Sequence, residues 1–161
     1  MEMKIPESYL IAEEVDPRWY KGPFLNIKAM GAKQKGKRFE QIVRFLMNGE
    51  KTKSSDNDMI LDNNLFEIKG STVTRGTDEC FSFLQIRPNQ EYDYLILSSF
   101  HFDGLIELFK IPKNDVYKLI SGKIFKKQHE GKNGKSETYC YNGTMEPFSQ
   151  YKFMERKIVN G

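Results

Sequence analysis

The chain predicts an α/β domain built around a mixed β-sheet, and three observations say so. Phe39, Ile42, Val43 and Leu46 recur at i, i+3, i+4 and i+7, the spacing of one apolar helix face. Apolar runs over 65–69, 92–99 and 105–111 have the length and β-branched or aromatic content of strands. The order helix, strands, helix, strands, helix is that of helices packed on a central sheet.

Taken in order, residues 7–14 predict a short helix stopped near Pro17. Trp19, Tyr20 and Phe24 follow in a segment broken by Gly22 and Pro23, a loop with aromatic anchors into the core. The amphipathic helix spans 37–47 and ends at Asn48-Gly49. Residues 58–62 and 65–69 read as two strands around a tight turn at Asn63-Asn64, because Asn tolerates positive φ. Residues 77–85 predict a second helix closed by Pro88. The buried strand 92–99 pairs with 105–111 through a turn at Asp103-Gly104, and Pro112 stops the pair. Asn114 caps a helix over 115–120. A polar loop spans 126–136, a short strand 138–141, and the tail beyond carries no clear pattern.

A length of 161 residues argues for one domain over 1–161 with a single core. No apolar run is long enough to cross a bilayer, and the start of the chain has no apolar h-region, so no membrane partner is expected. Cys80 and Cys140 lie far apart and form no CxxC pair. The expectation is a reduced, intracellular, cytoplasmic protein with two free thiols, one disulfide being the alternative. The net charge of +3 and pI near 8.7 permit a nucleic-acid partner without demanding one. The cations are clustered, however. Lys33, Lys35, Lys37 and Arg38 stand before the helix, and Lys123, Lys126, Lys127, Lys132 and Lys135 form a basic loop over about 123–137.

Chemistry concentrates at the proposed hairpin. With the turn at Asn63-Asn64, Ile60 opposes Glu67 and Asp58 opposes Lys69. Opposed residues share a face and alternate residues return to it. Asp58, Glu67 and Lys69 then project from one side. Two adjacent carboxylates repel, and a divalent cation relieves that repulsion; hard oxygen ligands with water positions left over suit Mg²⁺. The carbonyl of Ile68 points near the same edge as a further ligand. A metal so held would polarise a phosphate and acidify a water, while Lys69 holds that water and offsets charge growing on phosphorus.

Asp58, eight intervening residues, then Glu67-Ile68-Lys69 followed by Gly70-Ser71 resembles the PD-(D/E)XK nuclease superfamily. The resemblance covers roughly 36–112, the catalytic core. It implies a restriction-endonuclease-like mixed central sheet flanked by helices, with Asp58 and Glu67 as Mg²⁺ ligands (Mn²⁺ able to substitute) and Lys69 as the catalytic lysine. Glu40 matches the helical glutamate that some members use for a second metal or to orient a water. Gln85, in Gln85-Ile-Arg-Pro, looks like a polar position after the second catalytic strand in several restriction endonucleases. Asn57 stands where the family name has proline.

The implied function is cleavage of double-stranded DNA, with Lys35, Lys37, Arg38, Lys132 and Lys135 as DNA contacts. Cutting both strands normally needs two such sites. The expected partner is therefore a second subunit, either a second copy in a homodimer or a larger DNA-recognition chain. The alternatives are a Holliday-junction resolvase of the same fold and a non-catalytic DNA-binding module. Other chemistries find no support. His101 and His129 are too few and isolated for a zinc or histidine-metal site, neither cysteine has a histidine nearby, and Gly131 to Ser136 is too short for a phosphate loop.

Overall fold

The computed structural model describes residues 2–6, 15–129 and 137–159. The expected helix over 7–14 and the loop residues 130–136, Lys132 and Lys135 among them, lie outside the described residues.

A 3-10 helix, Pro17–Lys21, is capped by Asp16, whose carboxylate accepts from the Arg18 N–H at 3.0 Å. Trp19 and Phe24 are buried anchors, as expected, but Tyr20 is 59% exposed. Within a 3-10 turn, neighbouring side chains diverge, so Tyr20 leaves the core that Trp19 enters. Helix α1 (Leu25–Ala29) leads into α2 (Ala32–Met47). The predicted helix is present and starts five residues earlier, running through Gly36. It ends as the sequence requires, with Asn48 left-handed at φ 57° and its N–H returned to the Arg44 and Phe45 carbonyls.

Strands β1 (Met59–Leu61) and β2 (Asn64–Thr72) form the expected hairpin, with a corrected register. The turn is Asp62-Asn63, both left-handed (φ 51° and 64°), as a two-residue turn of mirror type demands. Leu61 pairs with Asn64, Ile60 with Leu65 and Met59 with Phe66. This register sets two core residues, Met59 and Phe66, directly against each other. Asp58 therefore falls level with Glu67, not Lys69. Because each strand slips by one residue in the same sense, the faces are unchanged.

The region predicted as a helix over 77–85 is instead a turn followed by β3 (Phe81–Ile86). Phe81 and Phe83 are buried while Ser82 and Leu84 are not, the alternation of a strand. Strands β4 (Tyr94–Phe100) and β5 (Leu105–Pro112) follow as expected. Helix α3 (Lys113–Ser121) begins directly after Pro112, which sits at its N-cap; Asn114 is inside the helix and makes no cap. Part of the predicted loop is β6 (Lys126–His129), which pairs with β7 (Thr138–Gly143). The tail supplies a second 3-10 helix, Glu146–Tyr151, and β8 (Lys152–Lys157).

The strands make two sheets. The larger has the order β1-β2-β4-β5-β8, mixed because β2 and β4 run parallel while the other pairs are antiparallel. The smaller, β3-β7-β6, is antiparallel. Leu95, Ile96 and Leu97 are all fully buried, the pattern of a central strand covered on both faces. The crossover from β2 to its parallel neighbour β4 thus passes through a strand of the second sheet. The two sheets are joined where the Ser82 N–H donates to Ser71 Oγ at 2.9 Å. Among the described residues, no helix is long and apolar enough to cross a membrane.

Helix α2 lies directly on β2, and Gly70 allows it. A Cβ at Gly70 would come within 2.3 Å of Phe39 Cγ, and the Phe39 ring is itself held against Phe100 at 4.7 Å between centroids. Gly70→Ala must push the helix off the strand. We expect it to lower unfolding free energy by about 1–3 kcal/mol in urea titration, the usual cost of overpacking a core. A melt unchanged from wild type would mean that α2 has slack over this strand.

Candidate active site

The edge of β2 facing β1 carries the chemistry. β1 ends at Met59, so the next outward N–H of β2 needs another acceptor. The Asp58 carboxylate supplies it, with Oδ2 accepting from the Ile68 N–H at 2.8 Å. The Asp58 N–H in turn donates to the Phe66 carbonyl at 2.8 Å. In a strand, the N–H and C=O of one residue point to the same edge. The Ile68 carbonyl therefore faces the same side as the Asp58 carboxylate.

Glu67 is almost wholly buried, at 6% exposure, and its carboxyl feels the charge of Asp58. Burial, and then the negative charge of Asp58, push it up from 4.5 to about 7. Lys69 opposes this shift, its Nζ standing 3.3 Å from Glu67 Oε1. Burial raises a carboxyl because the charged form loses hydration, and a neighbouring carboxylate adds repulsion. The raised value makes Glu67 a carboxyl that gives up its proton reluctantly when no counter-charge is close by.

Glu40 reaches the same place from α2. Its carboxyl is raised by burial and by Asp58, with Arg44, Lys69 and Lys51 opposing. Arg44 ties the two together: Nη1 donates to the Asp58 carbonyl at 3.4 Å and lies 3.8 Å from Glu40 Oε2. The sequence reading missed Arg44, although its place one turn after Glu40 was the available signal. It also missed Tyr92, which is 5% exposed and whose pKa is raised by burial and the charge of Glu67. Lys113 Nζ sits 3.7 Å from the centre of the Tyr92 ring. No short motif marks that pair; only the return of β4 and β5 beside β2 brings it there.

Asn57 has a visible task. Its Nδ2 donates to the Glu91 carbonyl at 2.9 Å, tying the start of β1 to the segment leading into β4.

A cleft of about 740 Å³ opens beside Lys69, between α2 and the junction of the sheets. Glu40, Ile68, Lys69 and Gln85 line it together, with Lys28, Lys33, Lys35 and Arg75. Glu40 is the one acidic side chain among the described residues lining it. Burial holds the Lys28 and Lys35 ammonium groups below their ordinary range, and for Lys28 the charge of Lys35 adds to the effect. Of the expected basic cluster, Lys33 and Lys35 line the cleft, while Lys37 and Arg38 are exposed on α2 outside its lining. Gln85 lies on β3, across the cleft lining shared with Glu40 and Lys69.

The donors present fit a hard cation. Two neighbouring carboxyls, one destabilised as an anion, and a backbone carbonyl on the same edge are all oxygen donors. Among the described residues, no group of three or more His, Cys, Asp or Glu is arranged to hold a metal. Two carboxylates with the remaining positions left to water and phosphate is the manner in which Mg²⁺ is commonly bound. Elsewhere, His101 Nε2 is engaged by Glu107 Oε1 at 2.7 Å, and Cys80 and Cys140 are free thiols. No protein-family model matches the chain, and a search of curated proteins returns no match.

Proposed function

We propose that the chain is a Mg²⁺-dependent endonuclease of the PD-(D/E)XK type, with a restriction-endonuclease-like fold, acting on double-stranded DNA. One observation carries the reading. A nearly inaccessible carboxyl, Glu67, beside the half-buried Asp58, has an ammonium group 3.3 Å away, and that lysine opens onto a cleft rich in cations. Asp58, Glu67 and the Ile68 carbonyl would hold Mg²⁺, with Mn²⁺ able to substitute. The ion would supply Lewis-acid polarisation of the phosphate and a more acidic water.

The residues of this chain do the positioning. Lys69 Nζ orients the attacking water and offsets the charge that grows on phosphorus. Glu40, on the cleft wall near Asp58, is placed to hold a water. Lys28, Lys33, Lys35 and Arg75 attract the phosphate backbone. Cutting both strands together needs a second such centre, so the reading includes a second subunit, a copy of this chain or a larger recognition chain.

The test is incubation with linear duplex, supercoiled plasmid and a four-way junction. Cleavage is expected with Mg²⁺ or Mn²⁺ and none in excess chelator, while Ca²⁺ supports binding with little cutting. Robust cleavage in chelator, or no cleavage of any substrate, would overturn the assignment. Preference for the junction would select the resolvase reading. That reading has its own support in Leu84, an apolar side chain 50% exposed on the cleft wall.

A further inference from the structure

We propose that the β-bulge at Leu84–Gln85 is a base-unstacking element, Leu84 covering the face of an unstacked base while the Gln85 amide meets a base edge. The inference rests on the nucleic-acid reading above and adds to it the form in which the strand is bound.

The geometry starts in β3. Phe83 pairs with Tyr141 and Ile86 with Tyr139, so Leu84 and Gln85 together oppose the single residue Cys140. Gln85 takes up the extra length in a left-handed conformation, φ 55°, which a residue with a Cβ adopts at a cost. The bulge is held from β6, beyond β7, where Gln128 Oε1 accepts from the Gln85 N–H at 2.7 Å. Without it, strict alternation would turn Gln85 inward and Ile86 outward. With it, Phe83 and Ile86 are both fully buried, and Leu84 and Gln85 both line the cleft.

The cleft fixes the occupant. Its cations, Lys28, Lys33, Lys35, Lys69 and Arg75, complement a phosphate chain. A half-exposed leucine gains nothing from phosphate or from water. It gains from the flat apolar face of a base, which a stacked duplex does not offer. Apolar side chains set among phosphate-binding cations act in this way when they separate base steps. The amide of Gln85 can both donate and accept, as a base edge requires.

The experiment uses permanganate, which oxidises unstacked thymines, on an alternating dA-dT duplex in Ca²⁺ buffer, with binding followed by mobility shift. Wild-type protein at saturation is expected to raise thymine reactivity several-fold over free duplex. Leu84→Ala should bind within a few-fold of wild type and lose that rise. Leu84→Phe should keep it. A saturated wild-type complex without new reactive thymines, or a Leu84→Ala complex as reactive as wild type, would overturn the inference and leave the nuclease reading standing. Failure of wild type to shift the duplex at low salt would overturn both.

Discussion

Lys69→Ala is expected to lower Mg²⁺-dependent DNA cleavage by at least about 10³-fold, while the fold and DNA affinity stay close to wild type. Positioned proton-transfer groups and electrostatic stabilisers each contribute on the order of 10²–10⁴ in rate. Lys69 is placed to serve as both, since its ammonium lies 3.3 Å from Glu67 Oε1 and lines the cleft. Its side chain is mostly covered, at 22% exposure, so truncation also removes some packing, and a melting curve alongside the kinetics checks that the fold persists. Single-turnover cleavage separates the chemical step from binding, which a mobility shift measures in Ca²⁺. Asp58→Ala should lose activity in the same way, though with some loss of stability because the Ile68 N–H loses its acceptor. A Lys69→Ala protein that cuts at near wild-type rate would reduce Glu67-Ile68-Lys69 to an ordinary ion pair.

The second large effect is on stability, and its sign depends on pH. In metal-free buffer the Glu67 carboxyl sits near 7 in the folded protein against an ordinary 4.5. Between those values the folded state binds more protons than the unfolded state, so stability falls as pH rises through the window. The gap corresponds to roughly 3 kcal/mol, present below pH 4.5 and lost above pH 7. Glu67→Gln cannot ionise and should escape the loss. At pH 8 in chelator we expect the variant to melt above wild type, and near pH 4.5 the two should converge. Adding Mg²⁺ at pH 8 should raise the wild-type melting temperature and leave that of Glu67→Gln nearly unmoved. A variant less stable than wild type at pH 8, or one with the same pH slope, would mean that the Glu67 anion is well accommodated without metal.

The fold was legible wherever local periodicity and burial coincide. Phe39, Ile42, Val43 and Leu46 announce α2 because one face of that helix meets β2. Leu95, Ile96 and Leu97 announce a central strand because both faces are covered. The alternation of Phe81 and Phe83 was equally visible, but the Thr77 to Gln85 stretch also admits a helical reading until pairing with β7 decides it. β8 was hidden for a different reason. It is an edge strand that leaves most of its side chains in water, so Lys152, Glu155, Arg156 and Lys157 hide the alternation. At the site, the shared face of Asp58, Glu67 and Lys69 survived an error of one residue in the turn, because hairpin faces depend on parity and not on the turn's location. What sequence could not supply was depth. Nothing in the motif says that Glu67 is nearly inaccessible, that Gly70 admits Phe39, or that Lys28 and Arg75 share a cleft with Lys69.

The two-residue turn at Asp62-Asn63 has a consequence for how the chain reaches this arrangement. Asp58 and Glu67 are only nine positions apart, and the hairpin joining them closes a short loop, which costs little entropy and is fast. The partners of β2 and β5 on their other sides, β4 and β8, are remote in sequence and pair later on the ordinary topological argument. The like charges thus meet while the hairpin is still wet, and their repulsion sharpens only as α2 and β4 close over them and remove the water. Protonation relieves that repulsion, so the domain is expected to refold faster, and to a more stable end state, below the Glu67 pKa of about 7 than above it.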